Sequence, residues 1–478
     1  MADQSTAMDG PNGNGSCTST GSGTGTGIST RARGDQILHL LLSFSIFLIP
    51  GVAFIHEDGY SFGPALLLLA AITYAVRYRN QQHFWADLPT PVKLIVLALA
   101  TYAIVWMTDG LLRGEGIRDM DRPSRFLFAA FCLVVIANAR INAFWLWAGL
   151  AAGGMSTGAL AIQQKLIEGA ARATGFTQTV QYGNLSMAVG LTCLGGVIWA
   201  LARPGKGQKT LWMALMLAGA LGGVMAGFLS GTRGSWFALL AFPLVGLWAA
   251  VQLRQTVKYL IAAPLVIGLL FGALYSFPET GVQSRFDRAV TEIEGYFIDG
   301  QKSGSVPYRF EMWKGAWIIF TENPLIGHGE IATLERLKEL GDEGRIEKVA
   351  SRFTQMHNDW FDVLAERGLL GALILLGVYF LPIVWFVRFA GKRPETPPRT
   401  AGATSGAGMA ANEDARAAVN THLERVGLAN AGITFPLSVL AAGIGQVNFT
   451  HNSGAMMYSF ITAALVGISA QRFAHDAS

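Results

Sequence analysis

Twelve apolar runs, each near the length that crosses a bilayer as a helix, constrain this chain more than any other feature. About 20 apolar residues at a rise of ~1.5 Å each span the hydrocarbon layer. Within that layer every backbone N–H and C=O needs a partner from the protein itself, and a helix supplies all of them locally. The runs cover residues 36–56, 60–76, 92–108, 125–139, 142–162, 185–202, 211–229, 235–251, 259–277, 368–387, 431–447 and 454–471, the fourth being the shortest. The expected fold is an all-α polytopic membrane protein with about 12 transmembrane helices. Charged residues make up 14% of the chain against 51% hydrophobic ones, far from the balance of a soluble domain. A net charge of +4, scattered along the sequence, gives no footprint for nucleic acid, so the surroundings it expects are membrane lipids. Cys17 lies in the polar N-terminal segment and Cys132 and Cys193 inside apolar runs, which argues against a disulfide framework.

Orientation follows from the Lys/Arg bias of short loops. An internal N-terminus places fourteen Lys/Arg in the cytoplasm and seven in the short outer loops, which decides the matter and puts both ends inside. Residues 1–34, rich in Gly, Ser and Thr, read as a disordered cytoplasmic tail, followed by spans one to nine over 35–277. Residues 278–367 form a large outer loop of helical character, and 368–387 the tenth span. Residues 388–430, with "RPETPPRTAGATSGAG", read as a flexible cytoplasmic loop, and 431–478 carry the last two spans and a short cytoplasmic tail. Within the outer loop, "EIATLERLKELGDEGRIEKVASRF" repeats apolar residues at helical spacing. That pattern predicts an amphipathic helix lying on a partner or on the membrane surface.

Chemistry-bearing residues gather on the outer face. Arg233 stands in the turn "SGTRGSW" between two apolar spans, on the side the charge rule depletes. It either anchors a helix end by snorkelling or, with the exposed amides of the turn, makes an anion site. Arg309 follows a proline and precedes Trp313 and Trp317 at helical spacing. The tryptophans suit an interfacial stripe, and a guanidinium at a helix N-terminus suits a phosphate. His328, flanked by glycines in "ENPLIGHGE", reads as structural more readily than catalytic. His357, in "TQMHNDWFDVLAERGLLG", stands beside Asn358 and Asp359. It is either a capping group at the water line or a general base, with Asp359, Asp362 or Glu366 available to orient its ring.

Together these segments resemble the O-antigen ligase family, the membrane glycosyltransferases that share a signature region with O-antigen polymerases and some protein O-glycosyltransferases. The patterns that carry the likeness are "SGTRGSW", "YRFEMW" leading to "NPLIGHG", and "HNDWFDVLAERGLLG". "QYGNLSMAVG", with Tyr182 and Asn184, is a weaker fourth. The resemblance implies a fold akin to metal-independent GT-C-like transferases in the bacterial inner membrane, with the active site facing the periplasm. It implies a donor glycan on undecaprenyl pyrophosphate, a sugar hydroxyl of lipid A core as acceptor in lipopolysaccharide biosynthesis, and no cofactor. Carried over by position, His357 matches the catalytic histidine, and Arg233 and Arg309 match arginines that hold the pyrophosphate. Tyr182, Asn184, Trp313, His328, Asn358 and Asp359 would support them.

Two other readings stay open at this level. Carboxylates in outer loops, Glu57, Asp58 and the pair Asp119 and Asp121 in "DMD", would suit a metal-dependent transferase, although arginines can neutralise a pyrophosphate unaided. A secondary transporter or flippase would need ionisable groups at mid-span, and few occur there. A polymerase or a protein O-oligosaccharyltransferase would look nearly the same as a ligase.

Overall fold

The computed structural model describes residues 25–114, 116, 120–253, 265, 268–391 and 406–477. The described residues hold helices and turns. In chain order the first eight helices are α1 (Gly25–Gly51), α2 (Gly59–Tyr78), α3 (Thr90–Leu112), α4 (Asp121–Asn138), α5 (Ala143–Ile162), α6 (Thr179–Ala200), α7 (Lys206–Leu229) and α8 (Arg233–Leu253). Helix α9 covers residues 268–276. Then follow α10 (Val282–Phe297), α11 (Ser305–Glu322), α12 (Glu330–Asp342), α13 (Asp359–Phe389), α14 (Gly406–Ala442) and α15 (Asn452–Ala477).

Ten of the described helices are long and apolar enough to cross a membrane, so this is a multi-pass membrane protein. The fourth expected span is α4, whose first turns carry Asp121, Arg122 and Arg125 and leave a short apolar stretch. Part of the ninth lies outside the described residues. Helices α15, α6 and α14 are the most enclosed, with 94%, 83% and 78% of their apolar stretches buried, so they form the centre and the others surround them. Small residues let the helices meet closely. A side-chain carbon at Gly154 would fall 2.3 Å from the backbone oxygen of Gly219, and one at Gly158 would fall 2.4 Å from Gly222 Cα. Helices α5 and α7 therefore touch backbone to backbone, as membrane helices do where small residues recur.

Two expected boundaries shift. Residues 406–430, expected within a flexible loop, belong to α14, a single helix of 37 residues. The stretch "ARAAVNTHLERVGLANAG" lacks proline and is rich in alanine, so once the apolar end nucleates a helix, extension is favourable. Residues 392–405, with the proline-rich part, lie outside the described residues, as do residues 1–24 of the expected tail. Helix α1 begins at Gly25 and so takes in residues 25–34, for the same reason of cheap extension.

At one end of the bundle, residues 278–358 build a small helical layer. The amphipathic helix α12 turns Leu337 and Leu340 onto Met312, Ala316 and Ile319 of α11, with Ile346, Ala350, Met356 and Ala365 closing this second core. Its partner is thus the chain itself. Below this layer α13 is broken at Gly368, whose φ of 59° interrupts the helix. The loop 323–329 fills the break. Leu369 N donates to Pro324 O (2.8 Å) and Leu370 N to Leu325 O (3.1 Å), while His328 N and Gly329 N donate to Ala365 O and Glu366 O. A side-chain carbon at Gly368 would strike Pro324 O at 2.6 Å, so only glycine serves both the turn and the close approach.

Candidate active site

The first turn of α13 is capped by Asn358, whose Oδ1 accepts from Trp360 N (2.9 Å) and Phe361 N (3.2 Å). This frees His357 from the capping role. Its neighbours are tied on both sides: Met356 N donates to Asp362 Oδ1 (3.0 Å), and Asp359 N donates to Gly443 O (2.8 Å). Between those ties His357 takes a left-handed conformation with φ of 49°. Histidine adopts that region more readily than most non-glycine residues, at a cost on the order of 1 kcal/mol. The turn carries the half-buried imidazole toward the segment 443–451 between α14 and α15, where Nδ1 lies 3.0 Å from Gln446 Oε1. The ring of Phe353 meets it edge-on at 5.7 Å. Trp313 supports the loop from below, donating from Nε1 to Met356 O (3.0 Å) and stacking on Phe361.

The acidic residues expected to orient the ring are engaged elsewhere. Asp359 is buried and accepts from Asn448 N (2.8 Å), Asn448 Nδ2 (2.9 Å) and Tyr379 Oη (3.0 Å). It pins the start of α13 to the same 443–451 segment, so it positions the histidine's surroundings without touching it. Asp362 caps Met356, and Glu366 pairs with Arg367. A helix turns 100° per residue, and residues inside α13 face its interior neighbours while His357 sits before its first turn. Gln446, an uncharged partner 89 residues later, takes the orienting place.

Arg233 opens α8, and Arg309 lies in the second turn of α11. They meet around Gly445 and Gly234. A side-chain carbon at Gly445 would stand 3.0 Å from Gly234 Cα and 3.7 Å from Arg309 Nη1. Asn184 joins at the same crossing, 3.4 Å from the corresponding point at Gly234, and its buried side-chain amide has no hydrogen-bond partner among the described residues. Arg233 Nη1 contacts Glu292 Oε2 at 3.3 Å.

Two further arginines, absent from the sequence-based candidates, complete the cluster. Arg172, from the loop after α5, donates through Nε to Ser230 O (2.7 Å) and through Nη2 to Thr232 Oγ1 (3.1 Å). Arg285 of α10 reaches the same turn: a side-chain carbon at Gly231 would lie 3.2 Å from Arg285 Nε and 3.7 Å from Arg172 Nε. Among the described residues, Glu292 is the one carboxylate ion-paired with any of the four.

The electrostatics follow from this imbalance. Burial and then the charges of Arg285, Arg309 and Arg233 lower the Arg172 pKa to about 10. Arg309 is lowered by burial and by Arg233, with Glu292 opposing, and Arg285 by burial, Arg233 and Arg288. Guanidinium groups stay charged at neutral pH under such shifts. Several cations held together against their mutual repulsion make an anion site. His357 is shifted below the ordinary histidine range, by burial first and by Arg309, against a partial offset from Gln446. Its ring is therefore neutral near pH 7 and able to accept a proton.

Other expected residues lie apart from this cluster. Tyr182 is fully buried, with Oη donating to Thr157 O (2.6 Å) and its ring edge-on to Phe54. His328 belongs to the loop that fills the α13 break, and its carbonyl accepts from Arg113. Both serve packing. Asp121 pairs with Arg125 (2.8 Å), Asp58 accepts from Tyr60 Oη (2.9 Å), and Asp119 lies outside the described residues. Gln446 was also absent from the sequence-based candidates; the run "GIGQVNFTHN", polar residues between two apolar spans, is the signal that could have found it. Arg172 and Arg285 carry no such local mark.

An uncharacterized protein of Haemophilus influenzae is 26% identical over 354 residues, which cover 73% of this chain and 86% of that one. The family model described as O-Antigen ligase matches residues 217–376, the segment that supplies Arg233, Arg285, Arg309 and His357. Over those residues this multi-pass membrane protein is similar to the O-antigen ligase family.

Proposed function

We propose that this protein is an O-antigen ligase, transferring a glycan from undecaprenyl pyrophosphate to a sugar hydroxyl of lipid A core at the periplasmic face of the inner membrane. The observation that carries the reading is a half-buried imidazole bonded to Gln446 beside a cluster of four arginines that, among the described residues, has one carboxylate partner. Arg233 and Arg309, joined by Arg172 and Arg285, hold the pyrophosphate, and the amide of Asn184, without a partner among the described residues, bonds a polar group of the donor. His357 Nδ1 is taken by Gln446, so Nε2 is the atom that receives the acceptor's hydroxyl proton. The hydroxyl oxygen bonds to the anomeric carbon as the bond from that carbon to the phosphate oxygen breaks. The electron pair leaves with the pyrophosphate, and the anomeric configuration inverts. Stabilising that developing charge is the largest contribution expected in such a transfer.

Purified protein supplied with prenyl-pyrophosphate glycan and lipid A core tests the reading, with products resolved by mass. Glycan on the core together with free prenyl pyrophosphate is expected. Glycan lengthened on its carrier would make the protein a polymerase, and carrier moved between leaflets without transfer would make it a transporter.

The orientation has its own check. A reporter fused near residue 345 is expected on the periplasmic side and one near residue 405 on the cytoplasmic side. Both reporters on one side would remove the outer active site. The arginines also replace a cation in this scheme, so a chelator is expected to leave transfer within about twofold, inside the scatter of surface changes. Asp119→Ala with Asp121→Ala is expected to keep activity. Loss restored by magnesium or manganese would reverse that assignment.

A further inference from the structure

Gln446 stands between two histidines. Its Oε1 lies 3.0 Å from His357 Nδ1, and its Nε2 lies 2.8 Å from His451 Nε2. The side chain is buried, and both rings are half-buried. An amide has one accepting end and one donating end, so its orientation decides which nitrogen of each ring carries a proton. With Oε1 toward His357, Nδ1 of that ring must be the donor, and its Nε2 keeps the lone pair. With Nε2 toward His451, that ring must accept, so its own proton sits on Nδ1. Turning the amide over would invert both assignments and leave His357 presenting an N–H where a base is needed.

We infer that Gln446 and His451 are positioning residues that hold His357 in the Nδ1–H tautomer, leaving Nε2 as the proton acceptor. The inference deepens the transferase reading and rests on it for the role of Nε2, although the tautomer is a property of the resting protein. His451 acts through Gln446. A neutral ring at 451 can accept from the amide, whereas a protonated one offers only donors and would force the amide to turn. The surroundings favour the neutral ring. His451 lies at the turn before α15, its backbone N–H donates to Asn448 O, and the charge bearing on it from α4 is the cation Arg122. The charge bearing on His357 from α11 is the cation Arg309. Asp359, the nearest acid in sequence, is turned away onto Asn448 and Tyr379. Burial first, then Arg122 and His357, hold the His451 pKa at about 4, so the arrangement persists through the neutral range. His451 lines a polar cavity together with Tyr60, Arg122, Thr177, Gln178, Asn452 and Ser453.

The test uses the full-length protein in lipid discs with nitrogen-15 histidine, assigned with His357→Asn and His451→Asn. His357 is expected as the Nδ1–H tautomer at pH 7, and His451 likewise. An Nε2–H signal at His357 overturns the inference whatever the protein does catalytically. Gln446→Glu keeps shape and the accepting atom but adds a negative charge. It is expected to move the acid limb of the pH–rate profile upward and to turn His451 to the Nε2–H form, since a carboxylate only accepts. Gln446→Leu is expected to lower kcat by about tenfold or more, the low end for losing a group that orients a functional histidine, with KM little changed. An unmoved acid limb in Gln446→Glu together with an unmoved tautomer in Gln446→Leu would reject the positioning role. Full activity of His357→Asn would instead reject the transferase mechanism and leave the tautomer result standing.

Discussion

His357→Asn is expected to reduce transfer by roughly 10²–10⁴, the usual worth of a general base, while protein level and donor binding stay near normal. The substitution separates chemistry from backbone geometry. Residue 357 sits at φ of 49°, and asparagine is among the few residues that accept the left-handed region readily. The cap of α13 belongs to Asn358 and is untouched. Alanine would be a poorer choice, because strain at that φ would lower stability and confuse the result. Donor binding can be read separately by protection of the lipid-linked glycan on the purified variant. An Asn variant that transfers at normal rate would end the case for a histidine base.

Arg309→Ala is expected to lower kcat/KM by about 10²–10³, the cost of removing one preorganised group that faces developing charge. Arg309→Lys should fall in between, since it keeps the charge and loses the planar fork that grips a phosphate. The same series at Arg233 should show a smaller loss, because its guanidinium already spends one contact on Glu292 at 3.3 Å. Initial rates at matched protein levels decide the matter. Near-normal rates for both lysine variants would return the two arginines to the role of interfacial anchors.

What could be read from the sequence depended on how far each interaction reaches along the chain. Apolar runs are local, so the helical class and most spans were legible. Where an apolar helix extends through polar but helix-favouring residues, as in α14 from Gly406, hydropathy alone marks the boundary too late. Arg233 stood out as a cation in a turn between two apolar spans, Arg309 by its place before Trp313 and Trp317 at helical spacing, and His357 by its neighbours Asn358 and Asp359. Arg172 and Arg285 did not, because their meaning comes from a contact across the fold at Gly231. Asp359 misled for a related reason. A carboxylate two residues from a histidine invites pairing, but the ring points away from α13 while the acid points into it, and the partner is an amide 89 residues distant. Tyr182 and His328 have the right residue types and local patterns, yet their hydrogen bonds tie helices together.

The break in α13 has a consequence for how the protein is made. The N–H groups of Leu369 and Leu370 open the apolar half of that helix and find their acceptors on Pro324 and Leu325, residues synthesised some forty positions earlier. Left in hydrocarbon without those carbonyls, each would cost several kcal/mol. Broken at Gly368, helix α13 is therefore not self-sufficient, and its apolar half is completed by the loop 323–329 folded back against it. Finishing this helix is then expected to go together with closing the layer that holds Arg309 and His357.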